Sequence, residues 1–253
     1  MNNVTLQSWI TTSWDDGHPL DLRVADLLDK YGLAGTFYVP RTAERNVMTA
    51  SQVRHISRKF EIGAHTLDHK YLDRIPLEDA KEQIIGSRLW IEDLTGLECR
   101  SFCFPGGKFR KSHLDLLAQA GFRSARTVEL LNVRGPRRMT NLWLIPTTVQ
   151  VYPHLRFAYA RNALKRMAIA NLFEARTLLF SADWTAIAGE LLRRVIKMGG
   201  IFHLWGHSWE IEQTRQWDRL EHLLAVIALE MGKSRCITNA QVEAYAANSC
   251  TNQ

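Results

Sequence analysis

Cysteine is scarce. The four in 253 residues are Cys99, Cys103, Cys236 and Cys250, and no two form a C-x-x-C pair or another structural-zinc spacing. The opening residues, MNNVTLQSW, lack the basic stretch and long apolar run of a secretion leader. No uninterrupted apolar stretch is long enough to span a bilayer. These absences point to a soluble cytoplasmic protein with reduced thiols. Repeats of fixed period and low-complexity segments are also missing, which excludes solenoids and arrays.

What is present suits a folded domain. Hydrophobic residues make up 46% of the chain and charged residues 23%, enough to bury a full core, which excludes disorder. The formal net charge of +6 suits an anionic partner such as a phosphate, a nucleotide or an acidic lipid. Nucleic acid is not expected, because the basic residues form no stripe with interleaved aromatics. Arg134, Arg137 and Arg138 surround Gly135-Pro136 and read as a solvated turn.

The first half alternates strand-like and helical runs. Thr11–Trp14 reads as a strand, and Pro19 opens a helix whose apolar positions end at Gly32. Thr36–Val39 is a strand, 50–59 a helix and Glu61–Ala64 a short strand. Pro76 opens a helix that Gly96 stops; 101–104 is a strand and 111–120 a helix. This rhythm predicts parallel β/α units, of which eight would close a barrel. Later, 144–151 reads as a strand and 157–174 as a long basic amphipathic helix. Such a helix is either a wet face or a surface that lies on a membrane. The segment 187–198 reads as helix, 200–205 as strand and 217–231 as helix, and no linker divides the chain.

Three clusters of polar residues fall where strands end, which is where β/α folds collect their chemistry. Ser13-Trp14-Asp15-Asp16-Gly17 sends two adjacent carboxylates in different directions, so one can bind a metal while the other faces substrate; helix capping is the alternative. His65-Thr66-Leu67-Asp68-His69 offers two histidines four residues apart, a spacing that can meet one metal. His203-Leu204-Trp205-Gly206-His207-Ser208-Trp209-Glu210 supplies two histidines near a strand end. Either is a candidate general acid, since imidazole titrates near neutrality, or a buried, hydrogen-bonded core histidine.

In their order and spacing these motifs resemble the polysaccharide deacetylases, the NodB-homology group of carbohydrate esterases. The resemblance runs from Thr11 to about Arg126 through SWDDGHP, AGTFYV, FEIGAHTLDHKYL and SFCFPGGKF, then returns at GGIFHLWGHSWEI. It implies an α/β fold of the distorted (β/α) barrel type, with residues 1–253 as one catalytic domain. It implies that Asp16, His65 and His69 hold one divalent metal, zinc, with Thr66 supporting the metal loop. Asp15 would be the general base and His207 the general acid. Gly106, with Pro105, would present a backbone N–H to the oxyanion, and Pro105, Trp205 and Trp209 would contact substrate.

Two departures stand out. Where the family usually has an arginine that orients the base aspartate, this chain has Cys103, and a neutral thiol makes no such ion pair. The family's Asp-Trp motif is matched only by Asp183-Trp184, equally readable as a helix cap. The expected activity is metal-dependent removal of an N-acetyl or N-formyl group from an amino sugar, on a nucleotide- or lipid-linked precursor. Hydrolysis of another linear or cyclic amide is the nearest alternative, and a non-catalytic sugar-binding relative with a vestigial site is the third. No nucleic-acid partner and no transmembrane segment are expected; peripheral membrane contact is compatible with the basic helix, and the sequence gives no oligomeric state.

Overall fold

The alternation of strand and helix patterns becomes parallel β/α units. The computed structural model describes residues 7–230 and 235–242. Its strands are β1 (Ser8–Trp14), β2 (Thr36–Val39), β3 (Glu61–Ala64), β4 (Ser101–Cys103), β5 (Ser124–Arg126), β6 (Arg137–Met139), β7 (Leu142–Ile145), β8 (Val149–Gln150), β9 (Gly200–Gly206) and β10 (Arg235–Cys236). The helices are α1 (Asp21–Lys30), α2 (Ala50–Ile56), α3 (Leu77–Thr95), α4 (Lys111–Gln119), α5 (Arg156–Lys165), α6 (Trp184–Met198), α7 (Ser208–Gln213) and α8 (Trp217–Glu230).

The strands form one sheet in the order β6-β7-β5-β4-β3-β2-β1-β9-β8, with β10 against the start of β1. Every pairing is parallel except the antiparallel β6 on β7. Parallel neighbours need crossovers, and α1 to α4 supply those between β1 and β5. The sheet curls into the expected distorted half-barrel. Irregular chain bridges its ends: the Leu131 N–H donates to the Thr148 carbonyl at 2.9 Å and the Thr147 N–H to the Glu129 carbonyl at 2.8 Å. All seven residues of β1 are buried, as a strand covered on both faces requires.

Helices are held mainly by their buried faces. On α6, Ile187, Leu191 and Val195 recur at helical spacing and are fully buried, as are Trp184 and Ala188. Each large side chain so buried contributes roughly 1.5–3 kcal/mol. The Asp183 cap, whose carboxylate accepts the Thr185 N–H at 3.0 Å, contributes about 1 kcal/mol. Burial therefore positions the helix and the cap sets its start. Asp183-Trp184 is thus a cap followed by a core residue.

Several sequence expectations are corrected. Pro19 does not begin the helix: the chain turns first, with the Asp21 N–H on the His18 carbonyl, and α1 starts at Asp21. The helix expected over 50–59 ends at Ile56. The strand expected over 144–151 is two strands. Pro146 has no N–H to give a ladder, so β7 pairs with β5 while β8 pairs with β9. The long helix expected over 157–174 stops at Lys165, where Met167 adopts φ 54° and the Ala168 N–H turns back to the Ala163 carbonyl. Arg137 and Arg138 lie in the edge strand β6 rather than in a turn. Cys99, Cys103 and Cys236 are free thiols; Cys250 and Met231 lie outside the described residues. Among the described residues no helix is long and apolar enough to cross a membrane.

Candidate active site

The carboxyl ends of β1, β3, β4 and β9 open onto one cleft. As β1 ends, the Asp15 N–H still bonds to the Gly206 carbonyl at 3.0 Å, and the next residue, Asp16, turns left-handed at φ 74°. Thr66 and His69, in the loop after β3, are left-handed as well, at φ 60° and 52°. Non-glycine residues held there store about 1–3 kcal/mol each, and such strain concentrates at functional sites. Here it turns three polar residues inward from two loops.

Asp16, His65 and His69 converge. His69 Nε2 is 3.1 Å and His65 Nε2 3.3 Å from the same Asp16 Oδ1. His65 Nδ1 donates to the Cys103 carbonyl at 2.8 Å, which puts the proton of a neutral imidazole on Nδ1 and leaves the Nε2 lone pair facing the carboxylate. An imidazole nitrogen from each ring set against one carboxylate oxygen suits a shared cation. The three donor atoms lie within 4.8 Å of one another. Trp209 Nε1 donates to the other Asp16 oxygen at 2.9 Å and fixes its plane. Asp16 is held well below the usual carboxylate range: burial raises it, but the bonds from His65 and His69 and the charge of His207 outweigh that. The residues therefore fit a divalent metal of the type that two histidines and one carboxylate hold with open positions. A second grouping, Asp15, His65 and Cys103, fits less well. Burial pushes the Cys103 thiol up, so it keeps its proton, and Asp15 already has a cationic partner. Purified protein should carry close to one equivalent of zinc or a similar ion, and His69→Ala should lose it. Elemental analysis at parental metal content would remove His69 from the ligand set.

Asp15 is supported by a residue that sequence reasoning missed. Arg126, on β5, is buried and donates from Nη2 to Asp15 Oδ2. The β4–β5 register places Arg126 beside Cys103. The guanidinium therefore enters from the neighbouring strand at the level where the family's arginine would stand. Cys103 Sγ donates to the same oxygen at 3.6 Å. Burial alone would raise the Asp15 carboxyl, but Arg126, His65 and His207 hold it below its usual value. Oδ1 of Asp15 is buried and has no hydrogen-bond partner among the described residues.

His203 within β9 and His207 just after it separate cleanly. His203 is buried, its ring between Ser13 Oγ at 2.9 Å and the Pro146 carbonyl at 2.9 Å, and burial with the nearby Arg126 pushes it down to about 3. His207 lines the cleft, its Nε2 3.9 Å from both the Asp15 and the Asp16 carboxylates. Burial lowers it, but Glu210, 2.6 Å from Nδ1, and the two aspartates raise it to about 9. Glu210 is itself oriented by Gln150 Nε2 at 2.9 Å. Arg126 carried no sequence signal; Glu210 stood inside the quoted motif but had no role assigned.

The cleft encloses about 490 Å³. Gly106 lines one wall at φ 62°, and a Cβ there would stand 2.5 Å from the Tyr71 ring. Pro105, just before it, is buried. Trp209 also lines the cleft, under the Arg45 guanidinium, 3.8 Å from its ring centroid. Trp205 does not line the cleft: it is buried behind it, with Arg126 4.5 Å over its ring. Gly106→Ala should lower kcat/KM by at least about tenfold, since the left-handed strain of roughly 1–3 kcal/mol falls on the cleft wall. Steady-state kinetics alongside urea unfolding separates that from misfolding.

A curled β/α half-barrel with an Asp–His–His cluster at its strand ends defines a barrel of the NodB-homology class. The family model described as polysaccharide deacetylase matches residues 3–125 of the chain. A search by sequence among curated proteins finds no match. Solved structures extend the likeness of fold past residue 125. A Mycobacterium smegmatis protein assigned to the polysaccharide deacetylases aligns at TM-score 0.69 and 15% identity, over 98% of this chain and 93% of its own. The chitin deacetylase of Colletotrichum lindemuthianum aligns at TM-score 0.60 and 14% identity, over 93% and 88%. A family 4 acetyl xylan esterase from Clostridium thermocellum, in complex with a cobalt ion, aligns at TM-score 0.57 and 15% identity, over 94% and 91%.

Proposed function

We propose that residues 1–253 act as one catalytic domain, a metal-dependent hydrolase that removes an N-acyl group from an amino sugar. The observation that carries this reading is the convergence of Asp16, His65 and His69 on one point, next in sequence to Asp15, whose Oδ1 has no hydrogen-bond partner among the described residues. A divalent ion held by those three residues, zinc or one similar, would supply Lewis-acid polarisation of the acyl oxygen and acidify an attacking water. Asp15 takes the proton of that water at Oδ1 as its oxygen adds to the acyl carbon, while Arg126 and Cys103 hold Oδ2 in place. The Gly106 wall faces the developing oxyanion, where one well-placed N–H contributes about a hundredfold or more in rate. His207, protonated near neutrality, passes its Nε2 proton to the amine nitrogen as the C–N bond breaks, and Glu210 holds the other side of the ring.

The cleft also favours a charged substrate. Arg45, Lys70 and Arg74 line it beside the carboxylates of Glu44 and Asp68, with Arg45 over the Trp209 ring and Arg74 over the Tyr71 ring, and these cations suit a phosphate. A nucleotide- or lipid-linked saccharide precursor supplies one. The vestigial-site reading drew its support from Cys103, and Arg126 weakens it by supplying the missing charge. A panel of N-acetylated and N-formylated amino sugars, free and phosphate-linked, incubated with zinc-loaded protein, should release acetate or formate, fastest from a phosphate-linked member. No release across the panel with the metal bound would sink the proposal.

A further inference from the structure

We propose that the segment from Leu155 to Phe180 docks this protein onto the surface of an anionic lipid bilayer. Leu155, Phe157, Leu164, Met167, Phe173 and Phe180 are each at least 69% exposed, and elsewhere among the described residues only Leu229 is comparably exposed. Proteins rarely leave so many large apolar groups in water along one short run without a partner for them. The inner side of α5 is already used. Tyr159 and Ala163 are buried, and the Asn162 side chain bonds the Leu130 N–H at 3.1 Å and the Val128 carbonyl at 2.8 Å. The outer side carries Phe157 and Leu164, seven residues apart and so on one stripe of the helix, with Arg156 on one flank and Arg161 and Lys165 on the other.

Charge selects the occupant. Between 155 and 180 there are five arginines and lysines and one acidic residue, Glu174. Glu174 is already paired with Arg134 at 3.3 Å and with Arg194. Apolar side chains flanked by Arg156, Arg161 and Lys165 suit a headgroup layer over acyl chains. A second copy would bring the same excess of positive charge to the contact. The surface is also continuous with the cleft. The Arg166 guanidinium at its edge lies against Gly107, next to the cleft-lining Gly106. Docking there would bring the cleft mouth to the bilayer interface, whatever the reaction inside it.

The test is flotation of the full chain with vesicles of phosphatidylcholine alone and of phosphatidylcholine mixed with phosphatidylglycerol. Binding is expected to the mixed vesicles only and should weaken as salt is added. Phe157→Ser with Leu164→Ser should reduce it by at least about tenfold. Arg161→Gln and Lys165→Gln should each reduce it about fivefold. Leu229→Ser, exposed but distant in sequence, should leave it unchanged. All these positions are exposed, and unaltered circular dichroism and thermal unfolding would verify the fold. Failure to bind anionic vesicles, or binding indifferent to the serine pair, would overturn the proposal. So would a concentration-dependent dimer that the serine pair abolishes, since the occupant would then be a second copy. None of these outcomes depends on acyl release, so this proposal and the deacetylation reading can fail separately.

Discussion

Arg126→Leu should remove most of the activity and about 3–5 kcal/mol of stability, the usual consequence of breaking one side of a buried ion pair. Both partners are out of water: Arg126 is fully buried and Asp15 is 3% exposed. Without the guanidinium the carboxylate keeps only the weak Cys103 thiol donor on Oδ2. With the largest lowering charge gone and burial unchanged, its carboxyl rises and Oδ2 loses its anchor, so Asp15 is poorly held as a base. Urea unfolding and kcat/KM measured on the same preparation give the two readouts. Because Cys103 and Arg126 are register partners on adjacent strands, the double change Cys103→Arg with Arg126→Ala moves the cation to the position usual in the family and should recover part of both losses. A single variant within about twofold of the parent in rate, and unchanged in stability, would disconnect Arg126 from Asp15; a twofold change is only about 0.4 kcal/mol.

Asp15→Asn separates base from ligand. Turnover should fall by about 10²–10⁴, the range that a positioned acid or base supplies. Metal content should stay at the parental level, because Asp16, His65 and His69 are intact and the two His–Asp16 contacts do not involve Asp15. Arg126 then faces a neutral amide, so some stability is lost as well, and activity is to be compared at a temperature where the variant is folded. Metal lost together with activity would place Asp15 among the ligands, in the grouping with His65 and Cys103. Undiminished turnover would require another base.

Much of the fold was legible where pattern is local. Thr36–Val39 and Glu61–Ala64 are strands at the bounds the sequence suggests, and Gly96 stops α3 in the left-handed conformation at φ 69°. What misled was also local. Residues 144–151 look like one strand because they are rich in β-branched side chains on both sides of Pro146, which interrupts the hydrogen-bond ladder. The segment 157–174 keeps a helical charge pattern past Lys165, but the chain turns at Met167 and the remaining residues form a separate short turn of helix. β5, only three residues long, carries too little periodicity to be read as a strand.

The sequence by itself determined which groups are available and in what order. The paired aspartates, the His-x-x-x-His loop, the Pro-Gly turn and the closing His-Ser-Trp-Glu each lie within a few residues, so residue type and spacing alone make them visible. Only the tertiary structure decided which groups meet. Arg126 reaches Asp15 across 111 residues of chain, His203 is sealed between two strands while His207 opens onto the cleft, and Trp205 backs the site rather than lining it. Strand order and register make those choices, because burial of the whole sheet fixes which neighbour each side chain receives. No short stretch of sequence carries that information.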